Sequence, residues 1–209
     1  YTGALEKAGI PFELSAGDAF YTRPEILDAI HLLRVCIDPM DPFSLAVTLL
    51  SPVVGLTQAE VAGLAQTDSE RLWETVVDPA SYDVDDNIAV RLNRFMGFWT
   101  ESQQRRWVMA PSAFVSWCLE AGGLEAGIAS SGDPGLVRAL HKLLAIAHAY
   151  EAEHPGDAAD DMVAHLQLQV ASEPREKTPE LAGDANAVQI LTAHASKGLE
   201  FPVVIAVDN

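Results

Sequence analysis

Positive charge is what this chain has least of. Its 209 residues carry 13 Lys and Arg against 30 Asp and Glu, a net charge of −17. That balance excludes the broad basic footprint of an ordinary nucleic-acid-binding domain and gives no attraction to an anionic membrane surface. Any contact with DNA has to be local, made by a few groups against the field of the whole molecule. Cysteine is nearly as scarce. Cys36 and Cys118 both lie in apolar stretches, outside any CxxC or Cys/His cluster. Zinc ribbons and disulfide frameworks are therefore excluded, and core packing is the role expected of both thiols. No run reaches the ~18 apolar residues of a membrane span, and the N-terminus carries no basic-plus-apolar signal peptide. A soluble protein of a reducing, cytoplasmic compartment is expected, with no membrane partner. The six histidines lack metal-ligand spacing, and His148…His154 is not an HExxH pair.

What is present is globular: 49% hydrophobic and 21% charged residues. A chain of this size can bury roughly 70% of its unfolded surface, so it needs no covalent staple. The segment 1–9 reads as the end of a helix stopped by Gly9. Pro11–Ser15 reads as a short strand, with Phe12 and Leu14 alternating with polar neighbours. Thr22-Arg-Pro-Glu25 has the form of a capping box, and behind it Ile26, Ile30, Leu33 and Ile37 recur at helical spacing until Asp38-Pro39. A second capping box, Thr57-Gln-Ala-Glu60, follows the turn Ser51-Pro-Val-Val-Gly55.

Helical patterns continue over 69–77, 87–106 and 112–121. A Gly/Ser loop is expected over 122–132, closed by Asp133-Pro134 as cap and first-turn proline. Leu136, Leu140, Leu143, Leu144 and Ala147 give the next helix an apolar face, and Met162, Val163, Leu166 and Val170 the last. Trp73, Trp99, Trp107 and Trp117 sit at helical positions and are expected in the core. The middle of the chain thus reads as an all-helical block.

The tail differs in kind. Residues 173–186 are polar, with Pro174 and Pro179, and read as a linker. Val188–Thr192 is a strand candidate, and Pro202–Val207 (PVVIAV) has the pattern of a strand covered on both faces. A sheet-containing domain with a helical insertion is the economical arrangement, and the chain reads as a piece of something longer.

Between the last two strand candidates, Ala193-His-Ala-Ser-Lys-Gly-Leu-Glu-Phe201 gathers an imidazole, a hydroxyl, an ammonium, a glycine and a carboxylate. Turns at strand ends in open α/β sheets are where ligands bind. Taken singly, each residue has a bland explanation as a solvated side chain or a cap. Taken together, the run Val188-Gln-Ile-Leu-Thr-Ala-His-Ala-Ser-Lys-Gly-Leu-Glu-Phe-Pro-Val-Val204 resembles motif V of the UvrD/Rep/RecB-type superfamily 1 DNA helicases. Ala193, where that family more often has a larger aliphatic residue, is a mild departure. Ala4–Phe12, Ala19–Ile26 and Leu32-Leu-Arg34 look like the stretch that follows motif IV. Ser51-Pro-Val-Val-Gly-Leu56 occupies the place of the Gly-containing turn in the family's helical insertion. The Ser-Pro…Gly-Leu form and the Gly-Leu-Glu-Phe-Pro-Val-Val ending look closest to AddA/RecB-type helicase–nuclease subunits.

The resemblance implies a mainly α chain with a partial α/β part. Residues 1–23 and 176–209 would be pieces of a RecA-like, P-loop NTPase-type parallel sheet, the second lobe of the motor. Residues 24–175 would be the helical subdomain inserted in it. It implies an ATP-dependent, 3′–5′ DNA helicase or translocase of repair or recombination as parent. Thr192 and His194 match positions that contact the single strand, where a hydroxyl and a neutral imidazole can hydrogen-bond without a large charge. Glu200 matches the acidic residue facing the nucleotide's ribose, with Gly198 beside it. Ser196 and Lys197 would shape the turn between the two sites. The implied partners are single-stranded DNA, duplex DNA at the Gly55 turn and a partner helicase–nuclease subunit. ATP and Mg²⁺ would be cofactors of the parent.

No GxxxxGK(S/T) phosphate loop occurs, and Asp85-Asp86 stands at the start of a polar helix, not after an apolar strand where Mg²⁺ would be held. No catalytic residue is therefore expected in this chain, no cofactor is expected to bind it alone, and it should not hydrolyse ATP. Many UvrD-type proteins carry an Arg just before the turn glycine and a second Gly two residues after it. Here those positions are Val54 and Thr57, so fewer phosphate contacts should follow. The competing class is a helical scaffold derived from an inactivated helicase lobe.

Overall fold

The computed structural model describes residues 5, 8, 10, 12–14, 20–65, 71–172, 187–190 and 201–206. The chain divides into two units: Tyr1–Phe20 with Pro174–Asn209, and Tyr21–Glu173.

The first unit contains two short strands, β1 (Phe12–Leu14) and β2 (Val188–Ile190), paired parallel with Phe12 opposite Val188 and Leu14 opposite Ile190. A parallel pair cannot be closed by a tight turn and needs a long crossover, which the intervening chain supplies. Ahead of β1, the Ile10 amide donates to the Leu5 carbonyl at 3.0 Å. The strand expected over 202–207 does not form: residues 203–206 have no regular structure, and Val203, Val204 and Ile205 are 78%, 74% and 82% exposed. A strand covered on both faces needs neighbours for its backbone and apolar cover for its side chains. The only ladder among the described residues is β1–β2.

The second unit is helical. Its described helices are α1 (Pro24–Ile37), α2 (Pro42–Leu50), α3 (Gln58–Ala65), α4 (Arg71–Val77), α5 (Asp86–Arg105), α6 (Pro111–Ala121), α7 (Leu124–Ala129), α8 (Pro134–Glu153) and α9 (Ala159–Ser172). Helix α1 is the hub, packed by α2, α5, α6, α8 and α9. Its apolar residues are not confined to one stripe: Ile26, Ala29, Ile30, Leu32, Leu33, Val35 and Cys36 are all buried, as a helix surrounded by others requires. Leu140, Leu143 and Ala147 of α8 and Met162, Val163 and Leu166 of α9 close the core from one side. Phe114 of α6 is fully buried, and its truncation to Ala would cost about 3–5 kcal/mol.

Helix starts follow local chemistry. Asp41, Asp85 and Asp133 each accept from an amide two residues on, and Pro42 and Pro134 stand at the first helical positions. The capping box expected at Thr22–Glu25 does not form. The cap residue is Arg23, and Glu25 accepts from the Arg23 Nε at 2.6 Å. Pro24, at the first helical position, fits the fixed φ of the ring there and sets the start one residue later.

Three further features differ from the sequence pattern. The span 122–132 contains α7, because Leu124 and Ile128, four residues apart, both bury against the block. Helix α2 has no counterpart in the pattern read from sequence. Trp107 is 68% exposed, in the turn after α5, with the Arg106 guanidinium 4.6 Å over its ring. The other tryptophans are half-buried: Trp99 donates its indole N–H to the Val35 carbonyl at 3.0 Å, Trp73 packs edge-on against Trp99, and Trp117 stacks on Phe98. Both cysteines are fully buried, and burial together with the neighbouring Cys36 pushes the Cys118 thiol well up. Among the described residues no helix is long and apolar enough to cross a membrane.

Candidate nucleic-acid interface

The residues that carry the motif V resemblance, Thr192, His194, Ser196, Lys197, Gly198 and Glu200, all lie outside the described residues. Strand β2 leads into that segment and ends at Ile190. The other candidate site, the Gly55 turn, is fully described.

This turn is built from the end of α2. The Ser51 hydroxyl donates to the Thr48 carbonyl at 2.8 Å, and the Ser51 carbonyl accepts from the Val54 and Gly55 amides. Gly55 then takes φ +72°, a left-handed conformation that a side chain would strain. Val54 and Leu56 point inward, 7% and 4% exposed, while Pro52, Gly55 and Thr57 face solvent. The Thr57–Glu60 capping box forms as its sequence predicts. The Thr57 amide donates to Glu60 Oε2 at 2.6 Å, and the Glu60 amide donates to Thr57 Oγ1 at 3.2 Å.

Helix α5 ties the turn down. Arg91 donates through Nη1 to the Gly55 carbonyl at 2.8 Å and through Nη2 to Glu60 Oε1 at 2.6 Å. The Thr57 amide first, and then Arg91, hold the Glu60 carboxyl below its ordinary pKa. From the other side Gly127 of α7 lies so close that a Cβ there would stand 2.5 Å from the Pro52 Cβ. The result is a glycine turn fixed from three directions, with a small exposed tip. The sequence pattern missed Arg91, because its two partners lie 31 and 36 positions away.

Two further cations, at the far end of α5, are matched. Arg105 pairs with Glu101, and Arg106 pairs with Asp160 while also donating to the Cys36 and Ile37 carbonyls at the end of α1. Among the described residues no group of three or more His, Cys, Asp or Glu side chains could hold a metal ion. Asp85 is occupied as a helix cap, accepting from the Asn87 amide at 2.8 Å.

Comparison with known proteins gives a family match. The model for the UvrD-like helicase C-terminal domain matches residues 2–95 and 86–208. The chain is 28% identical over 203 residues to an ATP-dependent helicase/nuclease subunit of Thermoanaerobacter pseudethanolicus, covering 96% of this chain and 16% of that protein. It is 28% identical over 205 residues to the protein of the same name in Carboxydothermus hydrogenoformans, covering 97% and 17%. It is 29% identical over 219 residues to the ATP-dependent DNA helicase UvrD1 of Mycobacterium bovis, covering 96% and 28%. The chain thus spans about a sixth of the length of the helicase/nuclease subunits it matches.

Proposed function

The chain belongs to the UvrD-like helicase C-terminal domain family, and on that premise we propose that it is the C-terminal portion of an ATP-dependent 3′–5′ DNA helicase or translocase of DNA repair or recombination. The observation that carries this reading is the family match through both ends of the chain, including the segment Thr192-x-His194…Glu200. Residues 1–23 and 176–209 act as parts of the second motor lobe, and 24–175 as the helical subdomain set into it. Thr192 and His194 hydrogen-bond the single strand, Glu200 with Gly198 faces the nucleotide's ribose, and Ser196 and Lys197 shape the turn between. His194 and Glu200 stand six positions apart, so one turn joins the DNA track to the nucleotide cleft, and movement at either end is felt at the other.

ATP is the energy source of the parent, and its Mg²⁺ is assigned no ligand in this chain. The relatives named as subunits support a partner subunit for the parent as well. The Gly55 turn is the surface offered to duplex DNA ahead of the motor. Its rigidity supports that use, because a tip held from three sides meets a duplex with little ordering cost.

The test uses the full-length parent. His194→Ala is expected to raise the DNA concentration needed for half-maximal ATPase and to slow unwinding. Glu200→Ala is expected to weaken nucleotide binding by about 1–3 kcal/mol, the worth of a charge-assisted hydrogen bond. Wild-type behaviour of both variants, in DNA-dependent ATPase and in nucleotide titrations, would remove the assignment.

A further inference from the structure

Three arginines of α5 and its end are held by carboxylates of their own unit: Arg91 by Glu60, Arg105 by Glu101 and Arg106 by Asp160. Arg94 differs. It is exposed, and among the described residues it has no hydrogen bond and no ion pair. It follows Arg91 by three positions on α5, so both guanidinium groups leave the same face of the helix one turn apart. Arg91 grips the Gly55 carbonyl, and Arg94 therefore stands one turn along α5 from the glycine turn. Its guanidinium lies against the α6–α7 junction, where a Cβ at Gly123 would be 3.6 Å from Nη2.

Arg94 borders an open groove of about 290 Å³ that also has Val53 of the turn, Gly97, Phe98 and Glu101 of α5 and Gly122 on its walls. A Cβ at Gly97 would meet nothing within 4 Å, so that wall is clear. Glu101 does not cancel the Arg94 charge, because Arg105 donates to its Oε1 at 2.8 and 2.6 Å. Arg105 is in turn fixed 4.8 Å over the Trp117 ring. Among the described residues that line the groove, Arg94 is thus the one cation that no carboxylate pairs, in a chain whose net charge is −17. The turn 51–56 brings no Lys or Arg of its own, and Val54 is directed into the core.

Resting on the reading that the Gly55 turn meets duplex DNA, we infer that Arg94 supplies the turn's missing cation, binding a backbone phosphate of that duplex in the groove between Val53 and α5. A guanidinium presents parallel N–H donors that match two phosphate oxygens. The apolar wall of Val53 and Phe98 lies beside the position of the adjoining sugar.

The experiment measures affinity of the full-length parent for a hairpin duplex with a 3′ single-stranded tail, and for the tail alone, across a salt series. Arg94→Ala is expected to weaken tailed-duplex binding about tenfold and to reduce the slope of log K against log salt by about 0.9, one phosphate contact. Arg94→Lys should keep the slope and recover part of the affinity, since it retains the charge without the fork. Arg138→Ala, an exposed arginine of α8 outside the groove, should change neither quantity. Unchanged affinity and slope for Arg94→Ala, with the wild type preferring the duplex, would overturn the inference and leave the turn's role standing. An equal loss on the single strand alone would also overturn it. A wild-type parent that binds the tailed duplex no better than the tail would overturn the turn's role and the inference together.

Discussion

Asp28 lies half-buried on α1, three positions after Glu25, and among the described residues nothing hydrogen-bonds its carboxyl. Burial first, and then the charge of Glu25, pushes its pKa up to about 6 from 3.8. The folded state thus holds this proton more tightly than the unfolded chain does. Its stabilising effect is complete below about pH 4 and is lost as pH rises through about 6. Asp28→Asn removes the charge that costs stability at neutral pH. It is expected to stabilise the helical unit at pH 7 by about 1 kcal/mol, after discounting for the solvent screening of a half-exposed group. That corresponds to about 2–4 °C in Tm, and the gap should close on going to pH 4. A thermal melt at the two pH values checks it, and an equal gap at both would show that burial of the charge is not the cause. Histidines act in the opposite direction. Burial lowers the pKa of His31, and burial followed by the charge of His154 lowers that of His165. Each favours the neutral ring, so their contribution is present above 6.5 and is lost as pH falls below it. His31 has a defined tautomer as well: Ser44 donates its only proton to Asp41 Oδ2 at 2.6 Å, so the imidazole Nδ1, 2.9 Å from Ser44 Oγ, carries the hydrogen.

Between helices, glycines separate two effects of the same substitution. Gly63 in α3 has nothing within 4 Å of a built Cβ, so Gly63→Ala should gain about 0.5–1 kcal/mol through helix propensity alone. Gly127 in α7 has the Pro52 Cβ at 2.5 Å from where its own would be. The same gain of about 1 kcal/mol there meets an overpacking cost of about 1–3 kcal/mol against a rigid ring. Gly127→Ala is therefore expected to be neutral or destabilising in urea unfolding, and to displace the Gly55 turn, weakening duplex binding by the parent. Stabilisation of Gly127→Ala equal to that of Gly63→Ala would show that the turn yields freely. These contacts also show what could be read from sequence. Periodicity and caps are local, so most helices were legible, as were the Thr57–Glu60 box and the Asp133-Pro134 start. The starts that failed did so for local reasons too, Pro24 shifting α1 and the Leu124/Ile128 pair making a helix out of a Gly/Ser-looking loop. The exposed 203–206 run departs from the strand expected over 202–207 because an apolar pattern records the cover a strand would need, not whether that cover is in place. The Gly55 turn could be placed from its glycine, but the arginines that surround it could not, since their partners are brought in by tertiary packing.

Charge and missing chemistry bear on the same question, what this chain does by itself. A net charge of −17 repels a polyanion at distance, so DNA contacts made by Thr192, His194 and Arg94 would act only once the strand is delivered to them. ATP hydrolysis needs a cradle for the phosphates and ligands for Mg²⁺. The sequence has no GxxxxGK(S/T) loop, and its paired Asp85-Asp86 begins α5 with Asp85 committed to a cap. Glu200, on the proposed reading, faces a ribose and cannot supply phosphoryl transfer alone. The isolated chain is therefore expected to release no phosphate from ATP above background, with or without single-stranded DNA. Adding the remainder of the parent as a separate polypeptide should restore DNA-stimulated turnover only if the two parts associate, and that turnover should fall with Glu200→Ala. A phosphate-release assay on the chain by itself, then with the complementing part, distinguishes the cases. Turnover by the chain alone that persists in Glu200→Ala would mean that its chemistry lies elsewhere and that the division of labour proposed for the motor is wrong.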